Sequence, residues 1–292
     1  MKISARSRAE LFLLSMSIVW GSTFVFVKLV LIHASPFVYT AVRFAAAALI
    51  FALLFFRRLK NIDRTTVLHG GLLGIFLFVG IVLQTEGLRY TSASKSAFIT
   101  GMMVVFTPIL QLFIDRRLPQ IGNIVGVFLV VAGLYYLTSP QGSEFNRGDL
   151  MSLSCALSFA LYLVYLGMFG EKYDPFHLTL MQFLTAALFS VPFIFIEHAY
   201  LTFDGNSIPV LLYLAVMPTI VALYIQTKYQ KDTTPTRCAV IASLEPPIAA
   251  LFAAVILGES LGIAGIAGGA LILIGVLVSE FSEFLFKNIY MV

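Results

Sequence analysis

The stretch from Ala239 to Leu257 places a carboxylate and two prolines in an apolar run long enough to cross a membrane as a helix. Glu245 lies near the middle of this run, and Pro246 and Pro247 follow it directly. A charged side chain at the centre of a bilayer costs roughly 2.5–3.5 kcal/mol on insertion scales. The prolines remove two backbone donors, which is tolerated at this depth only beside protein or a watery cavity. A charged, interrupted helix at mid-membrane depth is typical of a solute-binding site.

Two kinds of role fit Glu245. Its carboxylate could be the counter-ion of an ammonium group on a solute, or it could carry a proton. It could instead be structural, paired with Arg43 or Lys28 or bonded to backbone that the prolines leave without partners. The sequence leaves both interpretations open, because it does not show solvent access.

Two basic residues also fall inside apolar runs. Lys28, near the outer end of the first run, is predicted to extend its ammonium group to the lipid head groups. Arg43 lies two helical turns inside a run that begins at Pro36. Its guanidinium suits a carboxylate or a phosphate by bidentate contact, and the alternative is a structural pair with Glu86 or Glu245.

Neutral polar and aromatic side chains add further candidates. Gln84 and Gln226 occupy corresponding positions in the two halves of the chain, and amides can bind a polar solute or bridge helices. We interpret Gln226 as a bridge, because it lies near the cytoplasmic end of its run. Tyr162 and Tyr165 are three residues apart on one helix face, so both are predicted to line a cavity, with packing as the alternative. Tyr39 is interpreted as an aromatic residue of the outer membrane interface.

The composition of the whole chain predicts an all-α integral membrane protein. Of its 292 residues 59% are hydrophobic and 12% are charged, with a mean hydropathy of +0.94. Long apolar runs recur throughout, which excludes a soluble globular domain. The net charge of +4 is assigned to lysines and arginines in loops rather than to a nucleic-acid surface. The expected partner is therefore the lipid bilayer, and no nucleic acid is expected. Cys155 and Cys238 lie in apolar surroundings and indicate no disulfide framework.

Ten transmembrane helices are predicted from the apolar runs. Their approximate bounds are Ala9–Leu31, Pro36–Phe56, Val67–Leu88, Ser92–Ile114, Leu118–Leu137, Asp149–Gly170, Pro175–Ile196, Ile208–Lys228, Thr234–Leu257 and Leu261–Ser279. With the N-terminus inside, fourteen of the nineteen lysines and arginines fall in cytoplasmic segments. This bias predicts a protein of the cell (inner) membrane with both termini in the cytoplasm.

The two halves of the chain repeat one another. Ser35-Pro36 matches Asp174-Pro175 at an offset of 139 residues, which also pairs Glu10 with Asp149, and Gln84-Thr85 matches Gln226-Thr227 at 142. A unit of five helices is odd in number, so the second copy enters the membrane upside down, and the two inverted repeats enclose a central cavity. We predict a first five-helix repeat over residues 1–138, a linker over 139–148, a second repeat over 149–280 and a cytoplasmic tail over 281–292.

Small residues four apart mark the fifth and tenth helices. Gly122 and Gly126 match Gly265 and Gly269 at an offset of 143. Such glycines let helices approach closely. They are predicted to seat these helices against neighbours in the chain or against a second protomer, which would make a homodimer.

Several motifs carry a resemblance to a known family. They are Trp20-Gly21-Ser22-Thr23 with Lys28, Arg43-Phe44, Thr91-Ser92-Ala93-Ser94 through Phe106-Thr107-Pro108, and Leu244-Glu245-Pro246 with Leu257-Gly258-Glu259. Through them the chain resembles, over essentially its whole length, the drug/metabolite transporter superfamily and its ten-helix type with two EamA-like units. The resemblance implies a basket of helices around a central cavity, and export or exchange of metabolites such as amino acids, sugars or nucleotide sugars. The first half departs from the second where Asp115-Arg116 stands in place of Gly258-Glu259.

We therefore expect a secondary transporter, not an enzyme, that moves a small metabolite across the membrane by alternating access, with export favoured by the resemblance. Mixed charges near the predicted site suit a zwitterion such as an amino acid. The predicted substrate-binding residues are Trp20, Thr23, Arg43, Gln84, Tyr162, Tyr165 and Glu245, and the predicted coupling or gating residues are Lys28, Glu86, Pro246 and Pro247. The chain has no phosphate-binding loop of the Gly-x-x-x-x-Gly-Lys-Ser/Thr type.

The composition of the chain also fits two alternative functions. One is a membrane-embedded enzyme that acts on lipid, and the other is a lipid-translocating bundle. Against the enzyme, the four histidines are scattered without metal-ligand spacing, so no metal and no cofactor is predicted. They are His33, His69, His177 and His198.

Overall fold

The computed structural model describes residues 4–60, 62–116, 119–138, 145–195, 199–202, 207–258 and 262–280. Within these ranges the chain folds into ten long helical segments. They are α1 (Ala5–Val30), α2 (Pro36–Leu54), α3 (Arg64–Gly87), α4 (Ala93–Asp115), α5 (Ile121–Thr138), α6 (Arg147–Phe169), α7 (Pro175–Ile194), α8 (Ile208–Asp232), α9 (Pro235–Leu257) and α10 (Ile263–Glu280). Most of the predicted linker, the predicted tail, Glu259 and His198 lie outside the described residues.

The helix lengths agree with the spans predicted from the apolar runs to within a few residues. Among the described helices, eight are long and apolar enough to cross a membrane, and α5 and α10 contain the shorter apolar stretches Ile121–Tyr136 and Ile263–Ser279. The all-helical fold predicted from the composition is confirmed for the described part of the chain.

Local sequence explains where several helices begin. Pro36 and Pro175 stand in the first turns of α2 and α7, where an N–H would have no helical acceptor in any case. At the start of α6, the Asn146 side chain accepts a hydrogen bond from the Asp149 N–H (3.1 Å), and the Asp149 carboxylate accepts one from the Asn146 N–H (2.8 Å). This reciprocal cap satisfies two donors that the helix itself leaves open.

The contact between α5 and α10 is the most extensive between any two helices of the described chain, and it depends on glycine. A Cβ atom added at Gly126 would lie 2.8 Å from the Gly275 carbonyl oxygen, and one added at Gly133 would lie 2.6 Å from the Gly268 carbonyl oxygen. The backbones therefore touch where a side chain would keep them apart. For Gly126, the structure supports packing within the chain rather than against a second protomer.

Replacement of Gly133 by alanine is expected to destabilise the protein by roughly 1–3 kcal/mol, because its methyl group would meet the backbone of Gly268 and Ile272. Gly71→Ala on α3 is the matched control, since its Cβ would meet only the Thr185 hydroxyl at 3.7 Å. Thermal unfolding of the two purified variants in one detergent measures the difference. Equal melting temperatures would contradict a backbone contact at Gly133.

As the two prolines predict, α9 is interrupted. It consists of Pro235–Ala242 and Glu245–Leu257, and Pro246 and Pro247 stand in the first turn of the second part. Neither proline can donate to the carbonyl four residues earlier, so the regular hydrogen-bond ladder stops there. Glu245 is consequently the first residue of a half-helix.

The fourth helix is interrupted at the corresponding place. It contains the α-helical parts Ala93–Gly101 and Met103–Leu110, and a Cβ added at Gly101 would lie 3.0 Å from Cγ of Pro246. The interruptions of α4 and α9 therefore contact each other. A gating role for Pro246 and Pro247 stays a prediction.

Candidate functional site

A cavity lies among α1, α2, α3, α4, α6, α8 and α9. The space inside it that the centre of a water-sized sphere can reach is about 80 Å³. Apolar walls with a few polar groups are typical of small-molecule sites. The lining residues are Trp20, Thr23, Arg43, Leu77, Ile81, Gln84, Met103, Phe159, Tyr162, Leu163, Pro218, Leu223, Gln226, Ala242 and Glu245.

Glu245 is the acidic residue of this lining. It is half-buried at the N-terminus of the second part of α9, where the helix dipole favours a negative charge. Its carboxylate forms no ion pair and no hydrogen bond with any residue that the structure describes. The structural pair with Arg43 or Lys28, one of the two alternatives above, is absent from this conformation.

Arg43 is the basic residue of the lining, and its side chain is 4% exposed. Its Nε donates a hydrogen bond to the Thr219 hydroxyl (2.6 Å), and its Nη1 donates one to the Tyr39 hydroxyl (3.0 Å). Among the described residues, no carboxylate pairs with it. The interpretation of Tyr39 as an interface residue is wrong, because Tyr39 is fully buried as the partner of this guanidinium.

Two amides face the same cavity. Gln84 on α3 and Gln226 on α8 both line it. The interpretation of Gln226 as a helix bridge does not include this position. The repeat offset that pairs Gln226 with Gln84 is the sequence signal that could have predicted it in the cavity lining. Gln182, which corresponds to Arg43, is fully buried and lies outside the lining. Its side-chain oxygen accepts a hydrogen bond from the Tyr162 hydroxyl (2.9 Å).

The aromatic candidates divide into two groups. Trp20 lines the cavity and its indole N–H donates to the Pro218 carbonyl oxygen (3.1 Å), while Phe159, its counterpart in the second half, lines it too. Tyr165 lies outside the lining and stacks on Phe76, with the ring centroids 5.3 Å apart. A separation of three residues rotates a side chain by about 60° around the helix, which is enough to turn it from the cavity to a neighbour.

Thr23 also lines the cavity, and its hydroxyl donates to the carbonyl oxygen of Trp20 (2.6 Å). This bond to the preceding turn leaves the hydroxyl oxygen free to accept one from a solute.

Lys28 and Glu86 lie away from the cavity lining. The Lys28 ammonium donates to the Thr91 carbonyl oxygen (3.2 Å). Glu86 forms an ion pair with Arg89 (3.2 Å) and accepts a hydrogen bond from the Tyr90 hydroxyl (3.0 Å). Their assignment to coupling or gating stays a prediction.

The comparisons with known proteins agree with this architecture. An uncharacterized transporter of Archaeoglobus fulgidus is 34% identical over 273 residues, which cover 94% of this chain and 86% of the relative. A Salmonella typhimurium protein described as a "probable amino-acid metabolite efflux pump" is 27% identical, over 94% of this chain and 96% of its own. One solved crystal structure superposes with a TM-score of 0.78 at 18% identity, over 97% of this chain and 99% of that one, which shows a shared fold.

The profile of one family matches the chain twice, over residues 7–139 and over residues 146–281. The resemblance to the drug/metabolite transporter superfamily is confirmed, and it identifies a multi-pass transmembrane transporter. The chain belongs to the EamA-like transporter family.

Proposed function

We propose that this protein is a secondary transporter that exports a small zwitterionic metabolite, such as an amino acid, across the cytoplasmic membrane. One observation carries the proposal. Arg43 and Glu245 line the same cavity inside the membrane helices, and neither has a partner of opposite charge among the described residues. A zwitterion supplies both missing charges at once.

The guanidinium of Arg43 is held in position for such a ligand. Hydrogen bonds to Thr219 and Tyr39 use two of its five N–H donors, so three remain for a carboxylate. Leaving a charge unpaired in a poorly hydrated site is costly, and the bound solute removes that cost for both residues. The amides of Gln84 and Gln226 can donate to or accept from the rest of a polar solute.

The same proposal includes ten transmembrane helices arranged as two inverted five-helix repeats, with residues 139–148 between them. Three observations support it. The family matches each half separately, α4 and α9 are interrupted at corresponding places, and both Gln84 with Gln226 and Trp20 with Phe159 line the cavity. Alternating access would follow from the two repeats rocking about this shared site, with both termini in the cytoplasm.

Counterflow into liposomes tests the proposed substrate class without an energy gradient. Purified protein is reconstituted with unlabelled amino acids, sugars or nucleosides inside, and labelled tracers are added outside. We expect accumulation of at least one amino acid. Its methyl ester and its decarboxylated amine should compete at least about tenfold more weakly, since each leaves one charge of the site without a partner.

Accumulation of sugars or nucleosides but of no amino acid would contradict the zwitterion. If no solute accumulates, the membrane-embedded enzyme and the lipid-translocating bundle become the better interpretations. For the direction, cells that express the protein should hold less of the substrate than cells that express Glu245→Gln.

A further inference from the structure

A buried acidic residue joins the two halves of the chain near the start of α6. The Asp149 carboxylate lies 2.7 Å from the Lys95 ammonium on α4 and accepts a hydrogen bond from the Thr91 hydroxyl (3.0 Å). Asp149 is fully buried and belongs to the second half of the chain, whereas Lys95 and Thr91 belong to the first. We call these three residues the outer latch, since α4 and α6 begin at the outer face in the predicted topology.

A second cluster of the same kind lies near the start of α1. The Glu10 carboxylate is 3.0 Å from Nε of Arg237 on α9 and accepts a hydrogen bond from the Thr233 hydroxyl (3.2 Å). Arg6 contacts the same carboxylate at 3.1 Å. Here the acidic residue belongs to the first half of the chain, and Arg237 and Thr233 belong to the second. We call Glu10, Arg237 and Thr233 the cytoplasmic latch.

The two latches are built from corresponding residues. The offset of 139 pairs Glu10 with Asp149, and the offset of 142 pairs Lys95 with Arg237 and the two threonines with each other. Because five helices separate the start of α1 from the start of α6, the clusters lie at opposite faces of the membrane in the proposed topology. Each latch ties one half of the chain to the other at a single face.

The latches are equally distant from the cavity along the helices that carry them. Ten residues separate Glu10 from Trp20 and Asp149 from Phe159, or about 15 Å of helix in each case. Eight residues separate Arg237 from Glu245. The cavity therefore lies between two charged clusters, one that joins α4 to α6 and one that joins α1 to α9.

We propose that the two latches are the gates of the transport path and open in alternation. The inference rests on the proposed transport cycle and names the residues that regulate access to its site. The carboxylates of these ion pairs are buried, so breaking a pair without water would be costly, but when the helix ends separate at one face, water hydrates both charges and offsets that cost. The pair at the other face keeps the two halves together and closes that side.

Accessibility of the cavity from each side tests the inference, without any knowledge of the substrate. A reporter cysteine replaces Thr23 on the cavity wall, in a background where Cys155 and Cys238 are alanine. A membrane-impermeant thiol reagent is then applied to right-side-out and to inside-out vesicles. The matched variants Lys95→Gln and Arg237→Gln each remove the base that joins the two halves in one latch, while Arg6, which belongs to the same half as Glu10, stays in place.

The two variants are expected to act in opposite directions. Lys95→Gln should raise the ratio of outer to cytoplasmic labelling rates by about threefold to tenfold, and Arg237→Gln should lower it by a similar factor. The double variant should return to the parent ratio. Because Arg237 is buried, Thr233→Val and Thr91→Val form a second matched pair, with smaller shifts of the same signs.

Two results would overturn the inference. If both glutamine variants leave the ratio unchanged, or if both shift it in one direction, the clusters are structural ion pairs only. Failure of the proposed function gives a different result. If the reporter cysteine is never labelled from one of the two sides, in the parent protein or in any variant, that result contradicts alternating access itself.

Discussion

Replacement of Glu245 by glutamine is expected to reduce counterflow by about a hundredfold. The substrate ammonium group would then enter a site with no negative charge, and removal of one partner of a desolvated ion pair costs roughly 3–5 kcal/mol when burial is complete. Glu245 is half-buried, so the lower part of that range applies. Initial rates of counterflow at equal protein content measure the effect, and gel filtration checks that the variant is folded.

Glu86→Gln is the comparison variant, because Glu86 is a carboxylate of a membrane helix that lies outside the cavity lining and pairs with Arg89. Its counterflow should stay within about twofold of the parent, as expected for a partly exposed ion pair, whereas a larger loss would support the coupling or gating role predicted for Glu86 from the sequence. If Glu245→Gln keeps full counterflow and loses only accumulation driven by a pH gradient, Glu245 carries a proton instead of binding an ammonium group. That result would contradict the proposed contact.

Replacement of Arg43 by glutamine is expected to reduce transport of the zwitterion by roughly ten- to a hundredfold, because a charge-assisted bidentate contact is lost. Glutamine occupies the corresponding position in the second half of the chain, at Gln182. A side chain of this size and polarity is therefore already present at the corresponding place of the second half. Arg43→Lys should be intermediate, since it keeps the charge and loses the planar fork of donors.

A selectivity measurement separates loss of carboxylate binding from general damage to the site. In Arg43→Gln the amino acid and its methyl ester should compete almost equally against the labelled tracer, because the guanidinium that distinguishes a free carboxylate from an ester is gone. The decarboxylated amine should compete as well as it does in the parent protein. An Arg43→Gln variant that still prefers the free carboxylate over the ester would place the carboxylate elsewhere in the cavity.

Much of the fold could be predicted because its signals are local. A bilayer requires long apolar runs, and a proline pair stops a helix wherever it stands. The helix bounds and the interruption of α9 before Glu245 follow from these rules alone. The repeat offsets add long-range information, because Trp20 and its counterpart Phe159 both line the cavity.

The errors arise where the direction of a side chain depends on packing. Tyr165 shares a helix with Tyr162 but packs on Phe76. The two side chains differ in direction by about 60° around the helix, and an argument from residue spacing does not resolve so small a difference. Tyr39 has the sequence position of an interface residue and is buried by its bond to Arg43. Such contacts join distant parts of the chain, and no local pattern predicts them.

The hydrogen bonds of Arg43 also bear on how the protein is made. Thr219 follows Arg43 by 176 residues, so at about 5–20 residues per second the ribosome needs roughly 10–35 s to supply it. During that interval α2 is inserted with its guanidinium, at a cost of roughly 2.5–3.5 kcal/mol. Tyr39 lies one turn earlier on the same helix and enters the bilayer with it. The nascent helix therefore carries its own first acceptor for the charge until α8 is synthesised.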